Sequence, residues 1–206
     1  MSTVDLVQRS VMEDFLRGAF RPGVRIRQDA LAAKLGVSKI PVREALQRLS
    51  VVGLLQFETN RGATIPKLTV AEAVENSTLR QAIETEMLRQ AIPRLTIVDL
   101  AEAELALVSD RGITESNWLF HRALYRASGW KRGLVIAEIL HAAFAPYVLL
   151  YIESLGGAEP SDAEHRALLD ACRRRDVDGA VEILRVHVAE ASAAVIGSLG
   201  SREAAE

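Results

Sequence analysis

The sequence predicts a mostly α-helical protein of two units, a winged helix-turn-helix followed by an all-helical antiparallel bundle. Three observations support this prediction. Apolar residues recur at helical spacing through most of the 206 residues. Short strand-like pieces occur at residues 54–57 and 63–66, on either side of a turn-rich segment. Glycines and prolines separate one periodic segment from the next.

The N-terminal unit, residues 1–68, is predicted to contain three helices before the hairpin. Gly36 ends the second helix, because glycine readily adopts the left-handed conformation that closes a helix. Ser38 is suited to cap the third helix, which carries Pro41 in its first turn. The predicted helices span residues 4–18, 28–35 and 38–52.

The second unit, residues 69–198, is predicted to be helical throughout, and residues 199–206 are predicted to be a frayed tail. Thr69 is a plausible cap for the first helix after the linker. Pro146 lies inside a predicted helix and should kink it. The predicted helices span residues 70–92, 96–109, 113–128, 131–155, 161–174 and 176–198.

Charge divides the chain at the same boundary. Residues 1–68 contain 11 basic and 6 acidic residues, a net charge of +5, whereas residues 69–206 contain 14 basic and 21 acidic residues, a net charge of −7. A basic unit joined to an acidic one is typical of a DNA-binding head on a regulatory body.

The composition also indicates a cellular location. Cys172 is the single cysteine, which excludes a disulfide within the chain and agrees with a reducing compartment. Charges interrupt the N-terminus where a signal peptide would need an apolar stretch. The longest apolar run, residues 142–152, is too short to span a bilayer. We therefore expect a cytoplasmic protein that has no membrane partner.

The third predicted helix has the features of a DNA recognition helix. Lys39, Arg43 and Gln47 lie four residues apart and share the face opposite the apolar residues. Lysine and arginine can donate to guanine, and glutamine can pair with adenine. Ser38 and Pro41 stand at the start of this helix, where a phosphate contact is expected. Taken singly, each of these residues is more typical of a solvated helix face, and only the combination favours DNA recognition.

The predicted hairpin supplies a second candidate contact with double-stranded DNA. Arg61 lies at its tip, where it can reach a phosphate or the minor groove. Gly62 follows and permits a tight turn.

The run FRPGVRIRQDALAAKLGVSKIPVREALQRLSVVGLLQFETNRGATI resembles the GntR family of winged-helix regulators. Lys39 departs from the arginine that is usual there, which keeps the charge but loses the bidentate fork. The resemblance implies operator binding, and because two-fold dimers read palindromic sites, it predicts a homodimer. The matching segments are Pro22-Gly23, Leu31-Ala32, Leu35-Gly36-Val37-Ser38, Pro41-Val42-Arg43-Glu44-Ala45-Leu46, Leu49, Gly53-Leu54 and Asn60-Arg61-Gly62.

The C-terminal unit contains a second set of functional candidates. Asn117 and His121 share one helix face, and His165 and His187 lie on two later helices. Three converging imidazoles would form a transition-metal site, for zinc or nickel. Any one histidine alone is more typical of a hydrogen-bonded structural residue, and His141 is interpreted in that way.

The segments NWLFHRALYRASG, EHRALLDACRRRDVDGAV and LRVHVAEA resemble the FCD ligand-binding domain of the FadR subgroup, over about residues 70–198. In that family an aspartate four residues before the first histidine joins three histidines around a metal. Asn117 stands at that position and offers a neutral carbonyl oxygen, which is a weaker ligand than a carboxylate.

The same resemblance implies a sensor of small organic acids. Arg80 resembles the arginine that binds the effector carboxylate in such domains, and Tyr147 and Tyr151 are candidates to line the pocket. The alternative for Arg80 is a surface salt bridge with Glu84, and the tyrosines are equally compatible with a core position.

These observations favour a ligand-controlled DNA-binding regulator, a repressor released by a small organic acid, and not an enzyme. One alternative is a metal-dependent enzyme, since three histidines around a metal can activate water. Against it, no acid or base accompanies the histidines at motif spacing, and Glu164, adjacent to His165, is expected to point elsewhere. Another alternative is a regulator with a degenerate sensor that holds the metal only for structure.

Overall fold

The computed structural model describes residues 2–58 and 62–203. Within these residues the chain forms an N-terminal helix-turn-helix with a hairpin, followed by a bundle of helices, and the predicted fold class is confirmed. The first unit consists of α1 (Thr3–Leu16), α2 (Gln28–Leu35), α3 (Lys39–Val51), β1 (Gln56–Glu58) and β2 (Gly62–Thr64). The second consists of α4 (Val70–Ala91), α5 (Ile97–Leu107), α6 (Ile113–Tyr125), α7 (Lys131–Ser154), α8 (Ala158–Arg173) and α9 (Val177–Glu203).

The helix-turn-helix forms where the sequence predicts it. Gly36 closes α2 in the left-handed conformation, at φ 65°. Val42 and Leu46 on one face of α3 are completely buried. Burial of an aliphatic side chain of this size contributes roughly 1.5–3 kcal/mol, so the buried face fixes which side of α3 remains outside.

The hairpin is shorter than predicted but gains an additional strand-like segment. β1 and β2 pair antiparallel, with Phe57 opposite Ala63. Arg25 forms an isolated bridge with Thr64, and the amide of Ile26 donates to the carbonyl oxygen of Ala63 at 2.9 Å. β1 begins after the predicted start at residue 54, because Leu54 still closes the turn that follows α3, with its amide donating to the carbonyl oxygen of Leu49 at 3.1 Å.

The bundle is built around α4, which packs against α7 and α9. Thr69 caps α4 as predicted, with its side chain accepting from the amide of Glu72. Unusually for a core helix, α4 buries Arg80 and Glu84, which are 3% and 0% exposed. Two 3₁₀ turns, Ile92–Arg94 and Arg126–Ser128, follow α4 and α6. The second lies where α6 was predicted to continue, and the first begins at the last residue predicted for α4.

The start of α8 and the end of α9 also differ from the sequence predictions. α8 begins at Ala158, so Pro160 lies in its first turn, where a proline costs no hydrogen bond because those amides are unpaired in any helix. α9 continues to Glu203, so the first five residues of the predicted tail 199–206 are helical.

The two units pack directly on each other. α1 contacts α6 and α7, and Nε of Arg17 donates to Glu115 on α6 at 3.1 Å. One apolar core runs through both units. α7 and residues 177–201 of α9 are long and apolar enough to cross a membrane, but both helices pack against other helices of the bundle, and half of the apolar stretch of α7 is buried.

Candidate functional site

A wide groove separates α3 from the wing, the name used below for β1, β2 and the adjoining residues 23–26. Its volume is about 1050 Å³. One wall carries the predicted base-contacting residues Lys39, Arg43 and Gln47, all of which are exposed. The groove is therefore concave, polar and basic on the side of the recognition helix, as a surface that receives a DNA backbone must be.

The start of α3 is also arranged for a contact with an anion. Ser38 occupies the N-cap position with extended backbone, and its exposed hydroxyl makes no capping hydrogen bond within the described residues. Pro41 is half-buried in the first turn. Lys39 is held by a 2.6 Å ion pair with Asp29 on α2, although both side chains are more than two-thirds exposed.

The opposite wall of the groove holds two basic residues that the sequence analysis did not select. Ile26 is buried, so the alternation of side chains along an extended segment places Arg25 and Arg27 on the outer face, in the groove. Gly62 adopts φ +79°, and a Cβ atom there would lie 3.6 Å from Nη2 of Arg25. Arg61 lies outside the described residues. The signal available in the sequence was the alternation Arg-Ile-Arg.

The three predicted metal ligands come together inside the helical unit. His121 on α6, His165 on α8 and His187 on α9 are all buried, and one ring nitrogen of each lies within 4.8 Å of the others. The Nε2 atoms of His121 and His165 are 3.3 Å apart.

The surroundings keep these imidazoles uncharged. Burial lowers the pKa of His121 and His165 well below the usual value, with further lowering by neighbouring histidines. Burial also lowers the pKa of His187, to about 3. Each ring is therefore neutral at physiological pH and has one lone pair available for a ligand.

A buried polar network lies beside the cluster. Nε of Arg80 donates to Oε1 of Glu84 at 2.7 Å, and Nη2 of Arg80 donates to Oε2 at 3.4 Å. The hydroxyl of Tyr125 lies 2.6 Å from Oε2 of Glu84 and 3.1 Å from Nδ1 of His121. The carboxylate of Glu84 thus connects an arginine on its own helix to a histidine of the cluster through one tyrosine.

His141 belongs to this network. Its Nε2 lies 3.2 Å from Oε1 of Glu84, and its ring packs on Trp118 with centroids 4.8 Å apart. A buried histidine with a hydrogen-bond partner is what the sequence analysis expected at this position.

Glu164 differs from expectation. Its Oε2 lies 2.6 Å from Nδ1 of His187, so the prediction that it points away from the histidines is wrong. Although Glu164 and His165 are adjacent on α8, both face α9, because α8 packs along that helix. No sequence pattern indicates this contact, since it joins residues 23 apart through helix packing.

The predicted effector-binding residues lie in different places. Arg80 forms the alternative salt bridge with Glu84, but in the core and not on the surface. Tyr147 lies at the junction of the two units, where its hydroxyl accepts from the amide of Thr69 at 3.1 Å. Tyr151 is half-buried, and the Glu164 carboxylate is among the causes that raise its pKa. Asn117 is half-buried one turn before His121.

The fold and the two sites define a class of protein, a winged-helix DNA-binding regulator with a helical sensor unit. Comparison with known families supports that definition. Residues 3–65 match the model of the bacterial regulatory proteins of the gntR family, and residues 75–190 match that of the FCD domain. The chain belongs to the GntR family of transcriptional regulators, in the group that carries an FCD domain.

Individual relatives agree with this assignment. The HTH-type transcriptional regulator McbR of Escherichia coli is 28% identical over 198 residues, which cover 89% of this chain and 90% of that protein. The solved McbR structure superposes with a TM-score of 0.81, covering 98% of this chain and 99% of that one. A GntR family member from Pseudomonas syringae pv. tomato is 31% identical, covers 100% of this chain and 91% of its own, and has a TM-score of 0.56.

Another similar protein is the probable D-xylose utilization operon transcriptional repressor of Paenarthrobacter nicotinovorans. It is 27% identical over 215 residues, which cover 97% of this chain and 91% of that protein. Together these matches make this chain a regulator of transcription with a DNA-binding head and an effector-binding domain.

Proposed function

We propose that this regulator is a cytoplasmic repressor that binds a palindromic operator as a homodimer and leaves it when a small organic carboxylate enters the helical unit. The observation that carries the proposal is the presence, in one chain, of a basic groove and a sealed cluster of neutral histidines beside a buried arginine. The groove supports DNA binding, and the cluster supports the sensing of a ligand.

The helical unit offers apolar surface for a second copy. Ile97, Leu105 and Val108 lie along α5 and just beyond it, and they are 66–81% exposed. Solvent-exposed aliphatic residues at this density are typical of an interface. A homodimer would present two recognition helices, which a two-fold symmetric operator requires. Sedimentation at micromolar concentration is expected to give twice the chain mass, and a monomer with no operator-induced pairing would contradict the dimer.

A divalent metal ion, zinc or nickel, fits the three histidines. Two nitrogens bound to one tetrahedral zinc at about 2.0–2.1 Å lie about 3.3–3.4 Å apart. The Nε2 atoms of His121 and His165 have this separation, 3.3 Å, and all three rings are uncharged. Asn117 or water would complete the ligand set. The ion would supply an electrophilic centre at which an anionic effector binds.

The chain's own residues suit a carboxylate effector. Arg80 contacts Glu84 and His141 through Nε and Nη2, which leaves Nη1, among the described contacts, for an effector carboxylate. The three imidazoles are at most 6% exposed, so an effector can enter only if the helices around them separate. A ligand that binds the separated arrangement more tightly shifts the protein toward it, and the winged unit packed on α6 and α7 shifts as well.

An enzymatic function has less support. A metal-activated water needs a nearby base that is free to take a proton. Glu164 is the carboxylate in contact with the histidines, and its Oε2 is already 2.6 Å from Nδ1 of His187. We therefore propose that any metal serves recognition and not hydrolysis.

Two experiments test the proposal. Selection of binding sites from random DNA tests the operator, and elemental analysis of gently purified protein tests the metal. The expected results are a palindromic sequence with half-sites about one helical turn apart and one divalent ion per chain. Failure to enrich any sequence would overturn the operator. Substoichiometric metal under all loading conditions would remove the ion and leave the histidines as polar pocket residues.

A further inference from the structure

The network that connects Glu84, Tyr125 and His121 constrains where protons reside. The phenol oxygen of Tyr125 has a single proton to donate and lies within hydrogen-bond distance of both Oε2 of Glu84 and Nδ1 of His121. The shorter contact, 2.6 Å, is to the carboxylate, which is completely buried and paired with Arg80.

Counting donors and acceptors leaves one arrangement. The guanidinium of Arg80 donates to both oxygens of Glu84, so this carboxylate is a paired anion that only accepts. The hydroxyl of Tyr125 lies 2.6 Å from Oε2 of Glu84 and donates its single proton there. The 3.1 Å contact can then be a hydrogen bond only if Nδ1 of His121 carries the proton and donates to the tyrosine oxygen.

We infer that Tyr125 and Glu84 are positioning residues that hold the His121 proton on Nδ1 and so direct its Nε2 lone pair into the histidine cluster. A neutral imidazole has one N–H, and the hydrogen bond at one nitrogen decides which nitrogen is left as the acceptor. Without the tyrosine hydroxyl, nothing in the described contacts of His121 favours Nδ1–H over Nε2–H.

The neighbouring histidines are consistent with this assignment. Nε2 of His165 is 3.3 Å from Nε2 of His121, and with the His121 proton on Nδ1 this contact is a hydrogen bond when the metal-free His165 carries its proton on Nε2. The carboxylate of Glu164 accepts from Nδ1 of His187, which leaves the Nε2 lone pair of that ring available. Two of the three imidazoles are thus oriented through Nδ1 by an oxygen acceptor, one directly by a carboxylate and one through a phenol.

The position of the proton is independent of the proposed metal, whereas its effect on metal affinity rests on the proposed function. Outer partners of metal-binding histidines fix ring tautomers, and their removal typically weakens metal binding by about 10–100-fold. We expect a loss of this size for Tyr125→Phe, because the variant removes the oxygen and preserves the ring.

The test is two-bond ¹H–¹⁵N correlation NMR on chelator-treated protein labelled at histidine, with the four rings assigned by substituting each histidine in turn by glutamine. We expect His121 as the Nδ1–H tautomer in the unmodified protein, and a substantial Nε2–H population in Tyr125→Phe. His121 as the Nε2–H tautomer in the unmodified protein would overturn the inference, and so would an unchanged pattern in the variant.

Tyr147→Phe is the matched control, because it removes a second buried phenol whose hydrogen bonds go to Thr69 and Glu72, away from the histidines. It should leave the His121 tautomer and the zinc affinity, measured by competition with a chromogenic chelator, unchanged. Equal weakening of zinc binding by both variants would reduce Tyr125 to a structural residue and contradict its role. If the unmodified protein binds no zinc, the proposed metal site fails, while the NMR result still decides the inference.

Discussion

Arg80 and Glu84 form a buried ion pair whose two charges depend on each other. Their side chains are 4% and 0% exposed and lie one helical turn apart on α4. The desolvation cost of such a pair is offset only while both partners remain. At the scale of single residues, the buried charges and hydrogen bonds beside the histidines come from this pair and its polar neighbours, and not from the surrounding apolar residues.

Glu84→Gln should therefore destabilise the protein strongly. The substitution leaves the Arg80 guanidinium buried without a counter-charge, which typically costs about 3–5 kcal/mol. Urea unfolding of chelator-treated protein measures the loss. Glu182→Gln is the control, since Glu182 pairs with Arg185 on the exposed side of α9 and should change the unfolding midpoint little. Equal midpoints for both variants would show that the buried pair contributes nothing.

The same carboxylate predicts a dependence of stability on pH. Arg80 and His141 hold the folded-state pKa of Glu84 well below the usual range of a glutamate, against the opposing effect of burial. Its contribution is therefore complete above the unfolded-state pKa and is lost as the pH falls through and below that value. Chelator-treated protein should lose stability between pH 5 and pH 3, and Glu84→Gln should lose less over the same range. An equally steep decline in the variant would assign the acid sensitivity to other groups.

At the scale of elements, helix boundaries were predictable from the sequence where a single capping or closing residue determines them. Gly36 ends α2, and Thr69 starts α4, as predicted. Pro160 was misjudged because a proline ends a helix in its interior but is tolerated in its first turn. The Arg25–Thr64 bridge was missed because it pairs distant segments of the chain, and local periodicity carries no information about such pairing.

The recognition helix gives a direct prediction. Arg43 is exposed in the groove on α3, opposite the buried face formed by Val42 and Leu46. Arg43→Ala should leave the fold intact and weaken specific operator binding by about 1–3 kcal/mol, the typical value of one good base contact. Fluorescence anisotropy with the selected operator measures it, and an unchanged footprint and affinity would refute the assignment.

A substitution in the wing should change DNA binding in a different way. Arg25 faces the groove beside Gly62, where a phosphate is a more accessible partner than a base edge. Arg25→Ala should weaken binding to all sequences alike and should lower the slope of log affinity against log salt by about one. Lys34→Ala is the control, because Lys34 pairs with Asp14 on α1 and does not line the groove. If Arg25→Ala and Lys34→Ala give the same slope, Arg25 does not contact a DNA phosphate.

At the scale of the whole molecule, packed helices connect the two sites. α6 carries His121 and also contacts α1 of the winged unit, and α7 carries both His141 and Tyr147. The hydroxyl of Tyr147 accepts from the amide of Thr69, at the point where the two units join. A movement of α6 or α7 around the histidines would therefore act on the winged unit directly, since α1 packs on both helices.

The sequence revealed the two units and the three histidines, but not the residues that govern them. His121, His165 and His187 could be selected because their residue type alone marks a candidate ligand. Tyr125 and Glu164 could not, because their roles exist only once helix packing brings distant positions together. The Arg80–Glu84 pair was foreseen only as the alternative to effector binding, and as a surface salt bridge, whereas the structure shows that the pair is buried.

If the histidine cluster controls DNA binding, as proposed, operator affinity must respond to a ligand only while the cluster is intact. The most direct test is fluorescence anisotropy with the selected operator, in the presence of a panel of small carboxylates, for the unmodified protein and His165→Ala. We predict that at least one carboxylate weakens operator binding by the unmodified protein about tenfold or more, a coupling of about 1.4 kcal/mol, and leaves His165→Ala unaffected. If no carboxylate changes operator affinity, or if His165→Ala responds as the unmodified protein does, the cluster is not the sensor.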